Sequence, residues 1–155
     1  MMTSIQIKTL TEALLPLAAI ADAYEADRLD DYRTSRPVDP DQAELYAGRG
    51  GRELLTLAHA FAARKALASG DARQLDAAAQ PLVDIARAYD ANELDDEARK
   101  FWGKNLEHRN TIPTDQIELV YSRGGASLLT LEDAIEARAA RAQSREDARR
   151  QVFAA

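Results

Sequence analysis

Two short groups of residues carry side chains that could do chemistry, and each group occurs twice. Leu29-Asp30-Asp31 returns as Leu94-Asp95-Asp96, and Arg49-Gly50-Gly51 returns as Arg123-Gly124-Gly125. Adjacent carboxylates can hold magnesium or share a proton. Aspartates at a helix end also close local turns on the backbone. The residues leave both readings open. A glycine turn beside an arginine can cradle phosphate with its backbone N–H groups. The same glycines also suit a tight hairpin turn, where positive φ costs glycine little.

A third group lies in residues 97–114, EARKFWGKNLEHRNTIPT. It holds the only tryptophan, Trp102, together with Arg99, Lys100, Lys104, His108 and Arg109. This is a cationic, aromatic stretch in an acidic chain. One reading makes it a ligand surface. The other has Phe101 and Trp102 filling the core while the charges face water. Arg49, Arg123 and the six residues just named are the candidate ligand-binding set.

Other chemistries find no support. The chain has no cysteine, which removes disulfides, zinc thiolates and cysteine nucleophiles. His59 and His108 do not share metal-ligand spacing, and no serine has a nucleophile's context. The glycine turns match neither a phosphate-binding P-loop nor a dinucleotide fingerprint. Nor do two of them make a disordered RGG tail. The residues favour a binding role over catalysis, with no metal and no cofactor expected.

Composition narrows the partners. The 155 residues carry a net charge of −6, with 46% hydrophobic and 6% aromatic content. A general nucleic-acid binder usually shows the opposite charge. No apolar run approaches the roughly 20 residues of a membrane span. The start, MMTSIQIKTL, lacks the basic and apolar regions of a secretory signal. A soluble, cytoplasmic protein with a thin, helix-rich core is expected.

The doubled groups belong to longer matches. At an offset of 65, Pro16-Leu17 meets Pro81-Leu82, Ile20-Ala21 meets Ile85-Ala86, and Ala23-Tyr24 meets Ala88-Tyr89. At an offset of 74, Glu44-Leu45 meets Glu118-Leu119, Leu54-Leu55-Thr56-Leu57 meets Leu128-Leu129-Thr130-Leu131, and Ala63-Arg64 meets Ala137-Arg138. The order of the blocks is kept, so a tandem duplication is the natural reading.

Each copy opens with apolar residues at helical spacing: Leu10, Leu14, Leu17, Ala21 and Tyr24, then Leu75, Ala79, Leu82, Ala86 and Tyr89. A proline lies inside both stripes. It predicts a kink at Pro16 and at Pro81; the alternative starts each helix at its proline. Ile117, Leu119 and Tyr121 then alternate as in a strand. Strand, glycine turn and strand predict a hairpin in each copy. Thr56 and Thr130 read as N-caps of a closing helix, and Ser69-Gly70 as a helix stop.

The expected fold is therefore α+β: two tandem αββα repeats, residues 8–70 and 71–143, with a helical extension at 144–155. A lone hairpin is marginal in water. The two hairpins are expected to join in one small antiparallel sheet, covered by helices and related by a pseudo-twofold axis. The C-terminal stretch from Ala139 is weakly amphipathic. It reads either as a solvated extension or as a contact to a second subunit.

The pattern Leu-Pro-Leu, Ile-Ala-x-Ala-Tyr, Leu-Asp-Asp, Glu-Leu-Tyr-x-x-Arg-Gly-Gly and Leu-Leu-Thr-Leu-x-x-Ala-x-x-Ala-Arg resembles small uncharacterised proteins of tailed phages and prophages. The likeness covers residues 14–67 and 79–141. It implies a phage accessory protein working in the host cytoplasm and assigns no catalytic residue. Such proteins act by stoichiometric binding, so the leading expectation is a counter-defence inhibitor or a nucleotide-signal sponge. Its partner is then a host protein or a small anionic ligand. The alternatives are a structural or assembly module with a duplicated partner surface, and a small metal-dependent hydrolase using the aspartate pairs.

Overall fold

The computed structural model describes residues 8–26, 28–29, 43–47, 53–91, 93, 117–122 and 127–154. Helix α1 (Leu10–Glu25) begins at Thr9, whose hydroxyl oxygen accepts the Glu12 N–H at 3.2 Å. This satisfies one of the donors that every helix start leaves open. Strands β1 (Glu44–Ala47) and β2 (Glu53–Thr56) form an antiparallel pair. Helix α2 (Leu57–Ser69) follows without a break and stops at Gly70, which takes the left-handed φ of 69° that glycine tolerates best. Helices α3 (Ala72–Ala78) and α4 (Gln80–Asp90) come next, then the antiparallel pair β3 (Glu118–Tyr121) and β4 (Ser127–Thr130). Helix α5 (Leu131–Ala154) closes the chain.

The α+β class is as the sequence predicts, and the hairpins repeat each other in detail. Glu44 faces Thr56, Tyr46 faces Leu55, and Ala47 faces Glu53. Seventy-four residues on, Glu118 faces Thr130, Val120 faces Leu129, and Tyr121 faces Ser127. The step into each closing helix is also fixed in the same way. Leu57 N–H donates to Ala43 O, and Leu131 N–H donates to Ile117 O, both at 2.8 Å.

Among the described residues the single four-stranded sheet expected from the sequence does not form. The described strands make two separate two-stranded sheets. β1 and β3 approach one another without sharing a ladder. Each hairpin carries two register irregularities, and such bulges sharpen the local twist. One antiparallel bridge, Leu29 to Ser122, does link the two halves of the chain.

The prolines also part company. At Pro16 the helix runs through, as the apolar stripe predicts. At Pro81 the alternative holds: α3 ends at Ala78, and α4 starts at Gln80 with Pro81 in its first turn. There the missing N–H breaks no helical bond.

Cross-packing replaces the shared sheet. α1 lies on α2 and α4 lies on α5, so each opening helix meets its own closing helix. α1 also covers β4, and α4 covers β2, each on the other half's hairpin. Leu17, Ile20, Leu55, Leu57, Leu82, Ile85, Leu129 and Leu131 are all fully buried. They are four pairs at the two sequence offsets. Each such side chain is worth about 1.5–3 kcal/mol when removed from water. Both halves thus contribute to one continuous core.

Candidate functional site

The two Arg-Gly-Gly groups fall in sequence between paired strands. β1 and β2 bracket residues 48–52, and β3 and β4 bracket residues 123–126. The Leu29–Ser122 bridge adds a relation no linear reading contains. Leu29 is 4% exposed and directly precedes Asp30-Asp31; Ser122 directly precedes Arg123. The backbone thus pairs the residue entering the first aspartate group with the residue entering the second arginine turn.

The candidate side chains themselves lie outside the described residues. This holds for Arg49, Arg123, Arg99, Lys100, Trp102, Lys104, His108 and Arg109, and for Asp30, Asp31, Asp95 and Asp96.

His59 is described and has a structural task. Its Nδ1 accepts the Thr56 N–H at 3.0 Å, tying the start of α2 to the end of β2. At the matching place Asp133 Oδ2 accepts the Thr130 N–H at 2.9 Å, and Thr130 Oγ1 accepts the Asp133 N–H at 3.3 Å. That is a reciprocal cap with a carboxylate in place of the imidazole.

Cationic side chains form clamps between helices that the sequence reading passed over. Arg64 of α2 pairs with Glu25 and Asp22 of α1 and sits 5.1 Å from the Phe61 ring centre. Hydrogen bonding to Glu25, then to Asp22, raises its pKa. Arg138 of α5 pairs with Asp90 of α4 at 2.5 Å. The signal was present in the sequence, since Ala63-Arg64 recurs as Ala137-Arg138. Lys8 pairs with Glu136 at 2.5 Å, giving a carboxylate oxygen cut off from water its counter-charge.

Arg141 is the least expected of these. It is 5% exposed, and its guanidinium donates to Gln80 Oε1 at 2.5 Å. Gln80 in turn donates to Asp84 Oδ1 at 2.7 Å. Burial, followed by the nearby Arg145, lowers the Arg141 pKa. Its counterpart at the 74-residue offset is Leu67, so the repeat pattern gave no hint of a charge here.

Among the described residues, no three His, Cys, Asp or Glu side chains gather as a metal site. No described helix is long and apolar enough to cross a membrane. The described arrangement sets two antiparallel strand pairs against a helical base. No family model, curated protein or solved structure matches the chain.

Proposed function

We propose that this is a non-enzymatic binding protein, a phage accessory factor acting in the host cytoplasm, that captures a small anionic ligand of the nucleotide class. It is built from two copies of one αββα module, folded against each other about a pseudo-twofold axis. Support for the architecture comes from the equal hairpin registers, the matched helix starts and the reciprocal cover of each hairpin by the other half's helix.

The observation that carries the binding reading is the Leu29–Ser122 bridge. It joins the entry of an aspartate group to the entry of an arginine turn across the two modules. Arg49 and Arg123 supply guanidinium groups for phosphate oxygens, with glycine N–H donors beside them. Arg99, Lys100, Trp102, Lys104, His108 and Arg109 supply cationic and stacking contacts. A counter-defence inhibitor of a host protein would use the same turns. The doubled hairpin favours, as a second reading, an assembly module that grips two copies of one partner.

The test is a thermal-shift panel of linear and cyclic nucleotides on the full chain. A true ligand at one hundred times its dissociation constant adds about 2.7 kcal/mol. For a chain of this size that raises the midpoint by roughly 5–10 °C. The shift should vanish in Arg123→Ala and Arg49→Ala, whose unliganded melts stay near wild type. If no nucleotide shifts the melt, the sponge reading is lost and the assembly reading takes its place.

A further inference from the structure

Leu15 on α1 and Gln80 on α4 hold matching places, 65 residues apart. In the second half of the chain that place is covered. Arg141 of α5 lies over it and donates to Gln80, and one turn later Arg145 holds both carboxylate oxygens of Asp76 at 2.9 and 2.8 Å. In the first half α2 stops at Ser69, and Gly70 turns the chain away. The residue matching Arg145 is Asp71, which caps α3 instead. The residue matching Arg141 is Leu67, which packs against the core, and Leu15 on α1 is left 55% exposed.

A helix of the right sort projects elsewhere on the molecule. α5 continues past Arg145, and residues 147–152 are exposed on all sides. Val152 is 73% exposed. Arg149 and Arg150 reach Glu146 of their own helix at 3.7 and 3.5 Å. Such exposed pairs add little, and a short helical end without packing is marginal. Ala148, Arg149 and Val152 share one face at helical spacing. The outer stripe of α1 is its complement: Glu12, Leu15, Ala19 and Asp22, an aliphatic centre between acids.

We infer that two copies of the chain associate, the end of α5 in each copy lying along the outer stripe of α1 in the other. Val152 rests on Leu15, and Arg149 lies beside Glu12, while Asp22 keeps its pairing with Arg64. Because the contact is reciprocal it closes after two copies. The inference rests on the two-module reading, since the covered surface of α4 is the guide to the open surface of α1.

Sedimentation equilibrium of the full chain tests it, at concentrations up to about 100 µM, a range that detects micromolar association. The mass should rise from 17.0 kDa toward twice that value. Leu15→Asp and Val152→Asp should each weaken association at least about tenfold, a loss of ~1.4 kcal/mol, with circular dichroism and melting unchanged. Combining Val152→Asp with Leu15→Lys should restore part of it. A mass of 17.0 kDa throughout overturns the inference and makes both aliphatics ordinary surface residues. So does a dimer that survives either single variant, or growth beyond two copies. Failure of the two-module reading shows instead in unequal core truncations, which denaturant titration of the monomer reads separately.

Discussion

The Thr56 N–H donates to His59 Nδ1 at 3.0 Å, while the equivalent Thr130 N–H donates to a carboxylate oxygen of Asp133 at 2.9 Å. Two helix starts with matching backbone paths thus use different acceptors. An imidazole acceptor carries no charge, whereas a carboxylate also meets the positive end of the helix dipole. His59→Ala should cost about 1 kcal/mol, the usual loss of a cap, or roughly 2–4 °C of melting midpoint. His59→Asp should hold wild-type stability or gain up to about 1 kcal/mol. If aspartate there destabilised as much as alanine, the capping assignment would be wrong.

The buried pairs give the sharpest test of the two-module architecture. Leu17 and Leu82 are both fully buried at the 65-residue offset, and Leu55 and Leu129 at the 74-residue offset. Each leucine-to-alanine change should cost about 2–5 kcal/mol. Within a pair the costs should agree to about 1 kcal/mol, because surroundings set the spread. Denaturant midpoints at a common slope provide the readout. Costs as different within pairs as between them would contradict twin environments.

The two prolines should respond in opposite directions. Pro16 interrupts a continuous helix, where proline costs about 3 kcal/mol relative to alanine. Pro16→Ala should therefore stabilise, by about 1 kcal/mol or more once lost contact is subtracted. Pro81 stands in the first turn of α4 and is buried. Pro81→Ala should be neutral or destabilising by about 1 kcal/mol, the worth of a methylene or so of packing. Thermal melts of both variants suffice, and equal shifts would rule out the different helix breaks.

Acid stability should depend on Asp76. The hydrogen bonds from Arg145 hold its carboxyl below the ordinary carboxylate range, against an opposing push from burial. A carboxylate with a depressed folded pKa stabilises above its unfolded value, near ~3.9, and loses that contribution as pH falls through the folded value. Asp76→Asn should thus lie below wild type at neutral pH and converge with it under strong acid. Arg145 is 54% exposed, so the gap should be small and should shrink in salt. Urea midpoints measured from neutral pH into acid would show a constant gap if the pair had no linked role.

How much was legible follows the range of each interaction. The caps at Thr56 and Thr130, the stop at Gly70, both hairpins and the apolar stripes of α1 and α4 are decided within a few residues. Periodicity and turn chemistry therefore reported them. The join between hairpins was not legible. It depends on how strand edges approach across the core, and the described strands pair only within each hairpin. Arg141 was hidden for a related reason. Its hydrogen-bond partner is Gln80, which lies on α4 some sixty residues earlier in the chain. The candidate ligand-binding residues were picked by type and spacing, and they sit in the segments outside the described residues.

The sequence by itself determined the α+β class, both hairpins, an acidic chain without cysteine, and the starts of α2 and α5 at Thr56 and Thr130. Short-range sterics and backbone hydrogen bonding are enough for that. Only the tertiary structure decided that the halves cross-cover rather than share a sheet, that one proline breaks a helix while its counterpart does not, and that Leu29 meets Ser122. Those outcomes depend on burying apolar surface between segments distant in sequence, a balance that no local pattern encodes.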